Sequence, residues 1–160
     1  GLVRRTILAG TGPRGGAAVD EVTRTPVIAD IKAALTFSDP RHFLFFPRTP
    51  EGKRAAKDYF ARLRERTTDR DKPISLQGRR AQLNAIRTAG LSAPDDLSVI
   101  TQPVFVANGD RDLMVDSSHS SDMARRLPNA KLTIYPDSGH GGVFQHHQAF
   151  VPAVLDFLAD

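Results

Sequence analysis

The sequence predicts an α/β fold with about three parallel strands and flanking helices, and three observations lead to this prediction. Short β-prone runs of apolar residues lie at 3–9, 104–107 and 131–135. Helical patterns follow the second and third runs, and short links separate these elements. A strand, a helix, a strand and a helix in this order are typical of the βαβ units of a parallel sheet. The 160 residues are enough for one domain with an adequate core.

The beginning of the chain is predicted to contain one strand and one short helix. The strand at 3–9 ends at a turn rich in glycine and proline, at residues 10–13. A short helix is predicted over residues 26–35. An aromatic stretch, residues 43–46, then lies between Pro40 and Pro47.

Two longer helices are predicted in the middle of the chain. Thr49 and Pro50 supply an N-cap and a proline at the first helical position, and apolar residues then recur at helical spacing. Ser75 begins the second helix, and Gly90 is predicted to end it as a C-cap glycine. No convincing strand pattern is found between residues 26 and 90.

The character of the sequence changes after Pro94. The apolar strand at 104–107 is followed by a predicted helix at 117–127 and a strand at 131–135. An amphipathic helix at 148–158 comes last. No internal repeat or low-complexity segment interrupts this order.

The composition is that of a soluble globular chain and excludes several classes of function. The 22 Lys and Arg residues exceed the 18 Asp and Glu residues, but they are dispersed, and no aromatic and basic stripe suited to nucleic-acid bases is present. No apolar run approaches the roughly 18 to 20 residues of a membrane span. The absence of cysteine excludes disulfides and a thiol nucleophile. It fits a reducing compartment, so we expect a cytoplasmic protein without membrane or nucleic-acid partners.

Polar residues follow the second and third predicted strands at the points where these strands end. Asp110 and Asp112 come directly after the strand at 104–107, and His140 lies in a glycine-rich loop after 131–135. The carboxyl ends of parallel strands meet at one edge of a sheet, so these side chains are expected to lie close together. A carboxylate that accepts the Nδ1 proton of a histidine fixes its tautomer and stabilises the imidazolium. The histidine can then act as a general base near neutral pH.

Each of these residues alone has a simpler explanation. Asp112 would cap the following turn or helix, and His140 would be an ordinary loop histidine. Their placement at equivalent ends of two strands favours a functional pair, and such a pair serves a nucleophile. The G-x-S-x-G elbow expected for that nucleophile is absent from the sequence, and no serine stands in a comparable glycine frame.

These motifs resemble the second half of an α/β-hydrolase. The stretch that resembles the family's strand and turn with the catalytic acid is PVFVANGDRDLMV, at 103–115. Residues 124–160 resemble its last strand, histidine loop and closing helix, and residues 1–16 resemble the strand after the nucleophile's helix. The acid precedes the histidine by 28 residues, in the family's chain order.

The resemblance implies a role for each polar residue and a division of the chain. Asp112 would be the catalytic acid and His140 the base, while Asp110 would structure the turn. Residues 1–25 would form the first strand and loop of the core, and residues 26–95 a helical cap over the active site. Residues 96–160 would form the C-terminal core with the acid and histidine loops.

The chain departs from the family pattern at its beginning. The nucleophile, the first oxyanion donor and about five strands of the family would precede residue 1. The resemblance therefore implies the C-terminal portion of a serine-type hydrolase acting on an ester, amide or similar bond of a small apolar substrate. Alone, this portion is expected to be inactive. We expect the exposed edge of the strand at 3–9 to pair with the missing N-terminal half or with a second copy.

The sequence also contains candidates for an acyl pocket, a metal site and a non-catalytic function. An acyl pocket is a candidate role for the aromatic residues of the middle section, although plain core packing explains such clusters more often; the candidates are Phe43, Phe45, Phe46 and Phe60, with Tyr59 beside them. A metal site would need His140, His146 and His147 with Asp137 or Asp112, but no H-E-x-x-H spacing supports it. No cofactor or phosphate-binding loop is predicted. The remaining alternative is a non-catalytic interaction or oligomerisation module of the same fold.

Overall fold

The predicted strands form one parallel sheet in the computed structural model, which describes residues 2–15, 35, 39–72 and 74–159. The central strand is β2 (Val104–Gly109), and it pairs with β1 (Thr6–Ala9) on one side and with β3 (Ala130–Tyr135) on the other. The predicted fold class is therefore confirmed. The first strand is shorter than the predicted 3–9, because its pairing begins at Thr6, whose amide donates to the carbonyl of Pro103.

Helices lie before, between and after the last two strands. Their bounds are α1 (Arg41–Leu44), α2 (Pro50–Glu65), α3 (Leu76–Leu91), α4 (Ser117–Arg126), α5 (Gly142–Gln145) and α6 (His147–Ala159), with a 3₁₀ turn at Leu97–Val99. Helices α1 to α3 are inserted between β1 and β2, where the sequence predicts a cap. The helix predicted over 26–35 lies outside the described residues, apart from Leu35.

The two long inserted helices begin as predicted, but the predicted end of the second is wrong. Thr49 Oγ1 accepts the amide of Gly52 at 3.1 Å, and Ser75 Oγ accepts that of Gly78 at 3.0 Å. Helix α3 runs through Gly90, and Ser92 is its C-cap. The reason is that Ser92 serves two carbonyls of the last turn, that of Ala89 through its amide and that of Thr88 through its hydroxyl.

The core lies on both faces of β2, and the sequence explains why. Strand residues alternate between faces, so a strand covered on both sides is apolar throughout. Val104 and Val106 pack against Met123 and Leu127 on one face. The opposite face is covered by α6 and the end of β3; its buried members are Phe105, Ala107, Tyr135 and Phe157. No helix in the described part of the chain is long and apolar enough to cross a membrane.

Replacing Phe105 by alanine should strongly destabilise the fold. Phe105 has no exposed surface, and its ring lies 5.6 Å from that of Phe157. The lost burial and the cavity together cost about 3–5 kcal/mol for such a change. Urea unfolding measures the difference. Val99→Ala, at a position that is 72% exposed, is the control and should change the free energy of unfolding by less than about 0.5 kcal/mol.

Candidate active site

The two loops predicted to carry the site leave the sheet side by side. Strand β2 ends at Gly109, which is in register with Tyr135 at the end of β3. The acid turn, residues 110–112, and the histidine loop, residues 136–141, therefore begin at the same edge of the sheet.

Asp112 and His140 are in direct contact. Oδ2 of Asp112 lies 2.9 Å from Nδ1 of His140. The side chain of Asp112 is completely buried, whereas that of His140 is 22% exposed. The other oxygen, Oδ1, accepts the amides of Met114 at 2.8 Å and Val115 at 3.0 Å. A carboxylate oxygen accepts in this contact, so Nδ1 is the donor, and in a neutral imidazole the lone pair then lies on Nε2.

The acid turn and the histidine loop are tied together by a second set of contacts. The amide of Arg111 donates to the carbonyl of Ser138 at 2.9 Å, and Asp110 Oδ1 accepts the amide of Ser138 at 3.2 Å. The contact of Asp110 thus joins the two loops, and its role within its own turn stays a prediction. A Cβ atom at Gly109 would lie 2.2 Å from the carbonyl oxygen of Ser138. The close approach of the two loops therefore requires glycine at this position.

Gly109→Ala tests this close approach. The clashing atoms belong to the backbone, so one loop must move, and the free energy of unfolding should fall by about 3 kcal/mol. Urea unfolding measures the loss, and amide chemical shifts of the histidine loop locate it. Gly78→Ala in α3, where the nearest atom to the new Cβ is 3.3 Å away, is the matched control. It should change the stability by no more than about 1 kcal/mol. Equal effects would contradict this account.

His140 lines a cavity of about 460 Å³. The loop after β1, the inner side of α3, the segment after the acid turn and the start of α4 form its walls. Its lining includes Gly10, Ile86, Ala89, Met114, Val115 and His119. Gly10 has φ +59°, and a Cβ atom there would lie 3.1 Å from Cε1 of His140. Gly10 is thus needed both for its backbone conformation and for the space beside the ring.

Gly10 and His119 line this cavity although the sequence does not predict either as a site residue. Gly10 was interpreted only as part of a turn, and its contact with His140 spans too much of the chain for a local pattern to reveal. His119 stands among four serines at the start of α4, with no motif around it. The available signal was its position in the first helix after β2, close to the acid turn.

The four predicted pocket phenylalanines have different surroundings. The ring of Phe45 lies 5.6 Å from that of His140. Phe43 and Phe46 line a different groove, and Phe60 stacks on His42 at 4.1 Å. A role for these rings in substrate binding stays a prediction.

The candidate metal ligands have other partners. His146 Nε2 lies 3.0 Å from the carbonyl of Pro136, and His147 Nδ1 lies 3.0 Å from that of Phe144. In the part of the chain that the structure describes, no group of three or more His, Asp or Glu side chains is placed to hold a metal ion.

An acid beside α1 has a shifted pKa. Asp39 accepts Arg41 Nη2 at 2.6 Å and Nε at 2.9 Å, and this hydrogen bonding holds the pKa of Asp39 below its usual value. A carboxyl whose pKa is lowered on folding stabilises the fold above its unfolded pKa, and the stability is lost as the pH falls through the folded pKa. Urea unfolding at several acidic pH values should therefore show a smaller acid-induced loss in Asp39→Asn than in the unchanged chain.

Comparison with known proteins agrees with this geometry. The model of the alpha/beta hydrolase family matches residues 2–153. This chain belongs to the alpha/beta hydrolase family. An alpha/beta hydrolase fold protein from Chitinophaga pinensis is 32% identical, with a TM-score of 0.84 over 98% of this chain and 56% of that one.

Two curated relatives of this chain are matched over shorter stretches. A protein from Caulobacter sp. (strain K31) described as a carbamate hydrolase, RutD, is 45% identical over 65 residues, 41% of this chain and 24% of that protein. A pimeloyl-acyl-carrier-protein methyl ester esterase from Nitrosomonas europaea is 30% identical over 79 residues, 49% of this chain and 29% of that protein. The matches thus span less than a third of either curated relative.

Proposed function

We propose that this chain supplies the acid and the base of a Ser-Asp-His triad, in a hydrolase that acts on an ester, amide or similar bond of a small apolar substrate. The 2.9 Å contact between Asp112 and His140 at the wall of a cavity carries the proposal. His140 takes the proton of the attacking hydroxyl through Nε2 and later gives it to the leaving group. Asp112 holds the ring in the required tautomer and stabilises the imidazolium.

The serine nucleophile lies outside these 160 residues in this proposal. Among the described residues, no serine hydroxyl bonds to His140, and Ser138, the nearest in sequence, is fully buried and donates to the carbonyl of Tyr135. Acyl transfer also needs donors for the oxyanion, which an acid and a base do not provide. We therefore expect the 160-residue chain to be inactive alone.

The cavity and the relatives support the substrate class. A volume of about 460 Å³ lies within the usual range for small-molecule sites. Its lining includes the apolar side chains of Pro13, Ile86, Ala89, Met114 and Val115. The names of the two curated relatives describe hydrolysis of a carbamate and of a methyl ester. Both are carbonyl compounds, which agrees with acyl transfer.

The decisive experiment compares the 160-residue chain with the full reading frame that encodes it, in an assay with p-nitrophenyl acetate and butyrate. We expect turnover only from a longer protein that carries a glycine-framed serine, and a fluorophosphonate probe should label that serine. Enzyme-like rates from the 160-residue chain would contradict the proposal. A complete reading frame without such a serine would favour the non-catalytic interaction module.

We also propose that the missing half, or a second copy, covers an apolar surface on this chain. Among the described strands, β1 has a partner on one side only. Helix α6 packs one face on β2, while Val151, Leu155 and Leu158 form a stripe on another face and are 48%, 61% and 48% exposed. Native mass spectrometry of the purified chain should show a dimer or a second polypeptide, and a stable monomer would contradict this proposal.

A cytoplasmic location belongs to the same proposal. A chain without cysteine forms no disulfides, so an oxidising compartment would bring it no added stability. Fractionation of the producing cells, with antibodies against the chain, tests the location.

A further inference from the structure

One carboxylate joins the inserted helices to both loops of the site. Asp137 precedes His140 by three residues, and its Oδ2 accepts the hydroxyl of Thr49 at 2.7 Å. Its Oδ1 lies 3.0 Å from Nη1 of Arg111, the neighbour of Asp112 in the acid turn. This second contact is an ion pair rather than an aligned hydrogen bond. Thr49 is in turn the N-cap of α2.

The backbone of Asp137 is fixed as well. Its φ is +48°, a left-handed conformation that Asp adopts more readily than most residues. Its carbonyl accepts Gln145 Nε2 of α5 at 2.7 Å. Asp137 therefore turns the chain from β3 into the histidine loop while both its main chain and its side chain are held.

The segment between α1 and α2 contacts the histidine itself. The amide of His140 donates to the carbonyl of Leu44 at 3.2 Å, and the amide of Gly141 donates to that of Phe45 at 3.0 Å. A Cβ atom at Gly139 would lie 2.9 Å from the carbonyl oxygen of Phe45. The backbone that presents His140 is thus packed directly against the inserted helices.

We propose that Asp137 is a positioning residue, whose bond to Thr49 couples the docking of the inserted helices to the alignment of His140 with Asp112. The carboxylate fixes α2 at one end of the histidine loop, and the carbonyls of Leu44 and Phe45 hold the other end. Loss of the Thr49 contact releases both ends together, because α1 and α2 are joined by only five residues. The catalytic consequence of this coupling rests on the proposed function, but the coupling itself does not.

Amide hydrogen exchange of the 160-residue chain tests the coupling without turnover. Thr49→Val and Asp137→Gly should each speed exchange at His140 and Gly141 about 10-fold, the upper range for losing one hydrogen bond, while β2 amides stay unchanged. Glycine is chosen at 137 because it accepts a positive φ without strain. Thr49→Ser keeps the hydroxyl and should exchange as the unchanged chain does.

Two controls separate this coupling from loss of a helix cap. Ser75 is an N-cap of the same kind on α3, with no carboxylate partner among the described residues, so Ser75→Ala should leave exchange at His140 and Gly141 unchanged. In the Asp137→Gly background, Thr49→Val should add no further change at these two amides. Equal acceleration of the β2 amides, or none at His140 and Gly141, would overturn the proposal.

Kinetics of the longer enzyme then test the catalytic consequence. Thr49→Val and Asp137→Gly should lower kcat about 10-fold with a smaller change in KM. Thr49→Ser, which keeps the hydroxyl, should have the kcat of the unchanged enzyme. A change in KM alone would overturn the positioning role. If exchange responds as expected while His140→Ala retains its rate, the coupling stands and the proposed function fails. If His140→Ala is inactive while exchange does not respond, the proposed function stands and the coupling fails.

Discussion

His140→Ala should abolish turnover in the proposed hydrolase, with a loss on the order of 10⁶-fold in kcat, as for a triad histidine elsewhere. The imidazole is the only group whose Nδ1 is held by Asp112 while the ring lines the cavity. Without it the nucleophile loses the proton acceptor that Asp112 orients. The fold should persist, since the side chain is partly exposed and belongs to neither core cluster.

Hydrolysis of a p-nitrophenyl ester measures this loss, and urea unfolding verifies that the variant is folded. His147→Ala is the matched control, because its ring is bonded to the carbonyl of Phe144, away from Asp112. It should retain close to the full rate. A rate near that of the unchanged enzyme for His140→Ala would exclude His140 as the base.

Asp112→Asn should cost about 10⁴-fold in kcat, the size seen for this change in another Ser-His-Asp enzyme. The structure gives the reason in atomic terms. Oδ1 accepts two amides, from Met114 and Val115, so the amide oxygen of asparagine would take its place. The NH₂ group would then face Nδ1 of His140 and donate to it. The proton of the imidazole would move to Nε2, and the ring could no longer accept a proton from the nucleophile.

Ring ¹⁵N chemical shifts of His140 report this change of tautomer in the 160-residue chain, before any activity is measured. We expect protonated Nδ1 in the unchanged chain and protonated Nε2 in Asp112→Asn. Asp122→Asn, which removes a charge from an exposed pair with Arg125 and Arg126 on α4, is the control and should alter neither tautomer nor rate. An unchanged tautomer combined with an unchanged rate would rule out Asp112 as the acid.

The sequence predicts those parts of the structure whose cause is local. The apolar run of β2 has no other explanation than a strand covered on both faces, and Thr49 carries its cap chemistry within three residues. The sequence also predicts the pairing of Asp112 with His140, because the carboxyl ends of neighbouring parallel strands lie at the same edge of the sheet. Each of these expectations needs only a short stretch of chain or a general rule of sheet topology.

The remaining features cannot be predicted from short sequence patterns, because they depend on contacts of the folded chain. The bond between Thr49 and Asp137 joins residues 88 positions apart, and its partners each look like ordinary turn or cap residues in the sequence. The end of α3 was missed because Ser92 provides two donors to the last turn, which removes the need for a glycine cap. Of the four predicted pocket phenylalanines, Phe45 has its ring beside that of His140, and the course of the backbone, which the sequence does not reveal, places it there.

The register of the sheet shows that β3 pairs with β2 over a much shorter stretch of chain than β1 does. Val104 pairs with Ala130 across 26 residues, whereas Thr6 pairs with Val104 across 98. The entropy of loop closure rises only slowly with length, by about 0.6 kcal/mol for each doubling. The unit from β2 to α5 contains both Asp112 and His140, and its two strands pair across the shorter stretch of chain. Away from Leu44, Phe45 and Thr49, an insertion between β1 and β2 can grow or shrink at small thermodynamic cost. The cavity wall formed by α3 can therefore change while the contacts that hold His140 are kept.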